Sequence, residues 1–216
     1  MRTALLLAFV FAALPALSQP TLGVGARLGG NVSILTDGFE GISSDREAGA
    51  AAALLVVVAF SDQTALVAEA GYAFLRYSHT LPFQPDTSPN STGGEITFTS
   101  TQRMIQMGML GKANLPLSGT LSPYLLLGPQ VGLLLETDID TAPAELNGSP
   151  IMPDRVDHSE PYNDVTLNGV VGLGIGLATA GTDLRIEVRY ERTLTGFLAS
   201  GGGTLSSFGL SLGATF

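Results

Sequence analysis

The tripeptide His158-Ser159-Glu160 contains the side-chain types of a hydrolase relay: an imidazole base, a hydroxyl nucleophile and a carboxylate. Adjacent residues on one loop rarely converge on such a relay, because the base must sit between the other two groups. His79, beside Tyr77-Ser78, is the second histidine and the second candidate base. Neither setting places a nucleophile, a base and an orienting group at a workable spacing, so no enzymatic activity is expected. The strings Gly23-x-Gly25 and Gly172-x-Gly174-x-Gly176 have the look of phosphate loops. No Gly-Lys-Ser/Thr follows either one, and no acid is placed to hold a ribose, so nucleotide binding is not expected. The absence of cysteine removes a disulfide scaffold, a thiolate zinc site, a thiol nucleophile and a lipoprotein anchor together.

One segment is dense in hard oxygen ligands. Residues 138–164 carry Asp138, Asp140, Glu145, Asp154, Asp157, Glu160 and Asp164 against Arg155 alone. Carboxylates suit calcium, although the spacing matches no EF-hand. Asp138, Asp140, Asp154 and Asp157 are the candidate ligands, calcium is the one cofactor considered, and the competing expectation is a solvated acidic loop.

The elements that position these residues must satisfy an unusual composition. The chain has 216 residues, is 45% apolar and only 13% charged, and its mean hydropathy is +0.33. That much apolar surface excludes a disordered chain. A membrane helix needs about 18 or more consecutive apolar residues. Past the N-terminus the longest run, Ala48 to Phe60, ends at Ser61-Asp62. Met1-Arg2, the apolar run Ala4 to Ala13, Pro15 and then Ala16-Leu17-Ser18 read as a secretory signal peptide cut after Ser18, leaving residues 19–216 as one domain.

Apolar residues recur with period two. In Leu22 to Ile34 one parity is Leu22, Val24, Ala26, Leu28, Gly30, Val32 and Ile34, while the other is glycine, Arg27, Asn31 and Ser33. In Asp183 to Arg192, Leu184, Ile186, Val188 and Tyr190 alternate with Asp183, Arg185, Glu187, Arg189 and Glu191. Eight such segments are expected at 21–35, 48–60, 65–77, 97–114, 124–137, 165–178, 183–194 and 205–216. The second is the least regular, because it is apolar at both parities; Val56-Val57-Val58 favours a strand. Each meets the ~9 to 11 residues a tilted membrane strand needs. Short connectors (61–64, 115–123, 179–182) alternate with long ones (36–47, 78–95, 138–164, 195–203). The pattern predicts an all-β fold, an eight-stranded antiparallel up-and-down transmembrane β-barrel. The long connectors hold most of the acids, and without a basic face no nucleic-acid partner is expected.

Gly23-Val-Gly-Ala-Arg-Leu-Gly-Gly-Asn31, Ser122-Pro-Tyr-Leu-Leu-Leu-Gly-Pro-Gln-Val-Gly132 after the Leu115-Pro116 turn, and Asn168-Gly-Val-Val-Gly-Leu-Gly-Ile-Gly176 follow one another in order. Arg185-Ile-Glu-Val-Arg-Tyr-Glu191 and Phe208-Gly-Leu-Ser-Leu-Gly-Ala-Thr-Phe216 complete the set. Together they resemble the bacterial outer-membrane β-barrel family that includes PorT-like proteins, across essentially the whole exported chain. The resemblance implies an eight-stranded barrel in the outer membrane with periplasmic termini. It implies no single activity, and a secretion role does not follow from a shared fold. It also makes terminal Phe216, in line with Phe208, Leu210, Leu212 and Ala214, the assembly signal read by the barrel-assembly machinery.

Parity then predicts a lumen. Arg27, Glu69, Lys112, Glu136, Arg185, Glu187, Arg189 and Glu191 are expected to point inward, four bases against four acids, pairing because an unpaired buried charge costs several kcal/mol. The expected role is structural or interactive, through loops that face lipopolysaccharide and a partner of unknown identity, within outer-membrane lipid. A small-solute or ion pore and a lipid-active enzyme are the alternatives.

Overall fold

The computed structural model describes residues 20–36, 43–83, 94–115, 120–141, 144–146, 149–151, 162–179, 181–197 and 203–216. The expected signal peptide therefore lies outside the described residues. Eight long strands are Thr21–Thr36 (β1), Ser43–Ala59 (β2), Thr64–Phe83 (β3), Gly94–Asn114 (β4), Leu121–Thr141 (β5), Val165–Thr179 (β8), Thr182–Thr193 (β9) and Thr204–Thr215 (β10). A small hairpin, Ala144–Leu146 (β6) with Ser149–Ile151 (β7), sits between β5 and β8. The long strands pair antiparallel in the closed order β1-β10-β9-β8-β5-β4-β3-β2.

Closure follows from backbone chemistry. In lipid an unpaired N–H or C=O has no water to bond, so a sheet must leave no edge. β1 meets β10 from Gly25↔Thr215 to Thr36↔Thr204. Beyond that ladder Phe216 N donates to Val24 O at 2.8 Å, and Val24 N donates to Phe216 O at 3.1 Å. Phe216 thus belongs to the seam, with its ring on the outside and 70% exposed.

Outward positions are apolar and inward positions small, polar or packed. Leu28, Leu127, Leu173, Ile186 and Leu212 are exposed outside, which fits hydrocarbon as the solvent of that face. β2 is apolar on both faces for two different reasons. Leu54 and Val56 face out, whereas Leu55 and Val57 are buried inside with Val67, Leu110, Tyr124 and Leu126. The 61–64 turn, the described residues flanking the β4–β5 and β8–β9 connections, and both described chain ends lie at one end of the barrel. There Phe60 N donates to Thr64 O at 3.0 Å, the Ser61 hydroxyl accepts from the Gln63 and Thr64 amides, and Gly181 turns at φ 85°. Positive φ is open to glycine at little steric cost.

The strands run further than hydropathy predicts. Residues 43–47, 78–83, 94–95 and 138–141, all expected in long connectors, belong to β2, β3, β4 and β5. Above the apolar band the outer face becomes polar, so the alternation inverts while the ladder continues: Asp138 and Asp140 are exposed outside, whereas Ile96, Phe98 and Ile139 pack together inside. Asp138 and Asp140 accordingly stand on β5, paired opposite Thr101 and Thr99, and not in a loop.

Parity also fails once. The β4–β5 register shifts between Arg103↔Glu136 and Met104↔Leu134, which leaves Leu135 as an extra residue. A bulge of this kind reverses the facing of everything beyond it. Leu134 faces the interior core, Leu135 is 56% exposed, and Glu136 is exposed outside the barrel rather than in the lumen.

Candidate functional site: the barrel interior

Inward glycines make the room that the interior uses. A Cβ on Gly174 would lie 2.2 Å from the Tyr124 ring, and one on Gly172 would lie 3.3 Å from Leu126. With that space, Tyr124 lies across the lumen, 1% exposed. Its hydroxyl donates to Glu187 Oε2 at 2.9 Å, and Lys112 Nζ sits 4.3 Å from its ring centroid, a cation–π approach.

The centre is an ion-pair belt. Arg189 NH1 donates to Glu69 Oε1 at 2.7 Å and to Oε2 at 2.9 Å, and Arg189 Nε also binds Glu187. Arg27 approaches Glu69 from β1 at 3.5 Å. Gln130 Nε2 donates to Glu69 at 3.3 Å, and Asn168 Nδ2 donates to Gln130 Oε1 at 3.4 Å. Glu191 is reached by Gln106 Nε2 at 3.4 Å. Toward the short-turn end Asp183 takes Arg185 at 2.9 Å and Lys112 at 3.9 Å.

Of the eight charges expected in the lumen, Arg27, Glu69, Lys112, Arg185, Glu187 and Arg189 are buried there. Glu191 joins them through Gln106, and Glu136 does not. Asp183, on the parity of Arg185, supplies the fourth acid instead, so four cations still face four carboxylates. Tyr124, Gln106, Gln130 and Asn168 complete the network; the available signal was a polar residue at the inward parity of an otherwise apolar strand. The voids left between these groups measure about 20, 10 and 10 Å³, each room for about one water.

The remaining candidates are elsewhere. Outside the wall Arg103 on β4 binds Glu136, and its NH2 lies 3.1 Å from Asp138. Asp138 Oδ2 is therefore already engaged by a guanidinium. Among the described residues no three His, Asp or Glu side chains converge as a metal site. Asp154, Asp157 and the His158-Ser159-Glu160 run lie outside the described residues. The His79 ring stacks on Phe98 with centroids 5.3 Å apart and an interplanar angle of 21°.

Beyond this closed eight-stranded barrel with an apolar exterior and a paired polar interior, residues 3–216 match the family model of the outer membrane protein β-barrel domain. The chain belongs to that family. Family membership sets this outer-membrane β-barrel in the outer membrane, the environment its exposed leucines and isoleucines require. No curated protein sequence matches it. Similar solved structures include Neisserial surface protein A, at 16% identity and TM-score 0.47, covering 92% of this chain and 98% of that one. OprG from Pseudomonas aeruginosa is similar at 10% identity and TM-score 0.41, over 92% and 98%. Ail from Yersinia pestis is similar at 13% identity and TM-score 0.38, over 90% and 98%.

Proposed function

We propose that this outer-membrane barrel is a sealed structural wall that acts through its loops, with an interior devoted to stability rather than transport or catalysis. The observation that carries this reading is the Glu69 carboxylate, 5% exposed, held by Arg189 from β9 across the lumen and by Arg27 from β1. Eight strands enclose only side-chain room, and here that room is taken up by salt-bridged groups. Moving an ion through would mean breaking buried pairs, each of which leaves an uncompensated charge behind. The loops, in contact with lipopolysaccharide outside the membrane, are the part left to meet a partner.

Planar-bilayer recording of the refolded barrel tests the proposal. The unmutated protein is expected to show little steady conductance, and replacing both Arg185 and Arg189 by Ser should open it. Stable, large channels in the unmutated protein would overturn the sealed-wall reading in favour of a pore. Cross-linking in intact outer membranes, followed by identification of the captured species, then tests the loop role: recovery of lipid alone would reduce the barrel to a passive wall element.

A further inference from the structure

The loop end of the barrel is closed by something other than the wall. After β9 ends at Thr193 the chain turns inward, and Phe197, on no strand, is only 2% exposed. Phe197 N donates to Gly203 O at 3.1 Å, and Asn163 N donates to Phe197 O at 3.2 Å. Asn163 Nδ2 donates to Gly196 O at 2.6 Å. The ring meets Tyr77 edge-on at a centroid distance of 6.0 Å and Tyr162 at 5.7 Å, and it clusters with Leu35, Leu75, Met104 and Leu205.

Directly beneath that apolar layer the lining becomes polar. The void of about 10 Å³ that Phe197 borders is also lined by Gln106, Thr166, Asn168, Glu191, Thr193 and Ser207. Gln106, Glu191 and Ser207 also line the next void, of about 20 Å³, beside Arg27 and Arg189 of the belt. Two water-sized voids with polar linings therefore lie in series between the underside of the ring and the ion pairs.

We infer that Phe197 is an aromatic stopper, so that the lumen has two seals in series: a ring carried on a loop and, below it, the salt-bridged belt. The two seals differ in how they are held. The belt is fastened to barrel strands, whereas the hydrogen bonds retaining residues 196 and 197 belong to no strand ladder. Segments held in this way open at lower free energy than the sheet around them. The stopper can lift without breaking the wall, which exposes the polar chamber and leaves the belt closed.

This inference rests on the sealed-wall reading, and thiol labelling separates the two because the chain has no cysteine of its own. A Ser207→Cys variant places a reporter in the chamber, and Thr141→Cys, at the exposed loop end of β5, gives the reference rate. With Phe197 in place, the Ser207→Cys thiol should react with a small cationic methanethiosulfonate at least tenfold more slowly than the Thr141→Cys thiol. Adding Phe197→Ala should remove most of that protection while the barrel still shows no steady conductance. Asn163→Ala, which loosens the loop and keeps the ring, should accelerate labelling several-fold; heat-dependent gel migration confirms that each variant is folded. Equal rates at the two reporters with Phe197 present, or no acceleration in folded Phe197→Ala, would overturn the stopper alone. Large steady channels in the unmutated protein would instead overturn the sealed wall.

Discussion

Glu69 and Glu136 are both glutamates on barrel strands, and their surroundings give them different weights. Glu69 neutralises two buried guanidinium groups, so Glu69→Gln should destabilise the barrel by roughly 3–5 kcal/mol, the range found when one partner of a buried pair is removed. Glu136 pairs with Arg103 at the surface, its side chain 55% exposed, so Glu136→Gln should cost no more than about 1 kcal/mol. Urea unfolding in lipid vesicles measures both, and comparable losses would show that the belt contributes no more than a surface pair. Gly174 gives the steric counterpart. Its substitution by Ala drives a methyl group into the Tyr124 ring, with an expected loss of about 1–3 kcal/mol from overpacking. Gly174→Ala combined with Tyr124→Leu should lose less than the sum of the two single variants, because the shorter side chain vacates the contested space; strict additivity would remove the argument.

At the scale of elements, the last strand and the β5 bulge are the decisive pieces. β10 must pair with β9 on one side and β1 on the other, and the Phe216 backbone adds two hydrogen bonds to the second seam. Deleting Phe216 should therefore reduce the yield of assembled barrel several-fold, whereas replacing Phe39, in the connector after β1, should leave it near the parent level. Equal yields from the two variants, measured by gel migration after refolding, would remove both the closure argument and the proposed assembly signal. In β5, deleting Leu135 should restore strict alternation after Leu134 and leave Glu136 outside, still opposite Arg103. The heat-resistant form is expected to survive. Its loss would show that the bulge is needed for more than the outward facing of Glu136.

For the whole molecule, the closed order of eight strands predicts a compact form in detergent that resists unfolding until boiled. Unboiled and boiled samples should migrate differently on a denaturing gel, and identical migration would argue against closure. The same closure explains how four cations and four carboxylates are tolerated in a protein whose outer surface meets lipid. The wall excludes bulk water, and the low-dielectric interior strengthens each ion pair that forms. Asp183 completes the neutral set from the short-turn end, where it meets Arg185 and Lys112.

The amino-acid sequence by itself determined the barrel, because period two is a property of the extended backbone and lipid demands a closed sheet. Leu184, Ile186 and Val188 set against Arg185, Glu187 and Arg189 assign outside and inside without coordinates. The same alternation placed Arg27, Glu69 and Lys112 in the lumen. Only the tertiary structure decided where alternation ceases to be informative. Asp138 and Asp140 continue β5 above the membrane, where the outer face is polar and the apolar parity passes to the inside, with Ile139 packed on Ile96 and Phe98. Leu135 is an extra residue visible only against its partner strand, so the outward turn of Glu136 could not be read along β5 alone. Phe197 reaches the lumen from a connector, outside any periodic pattern, and its burial depends on Tyr77, Tyr162 and Leu205, residues that closure of the barrel brings together from distant parts of the chain.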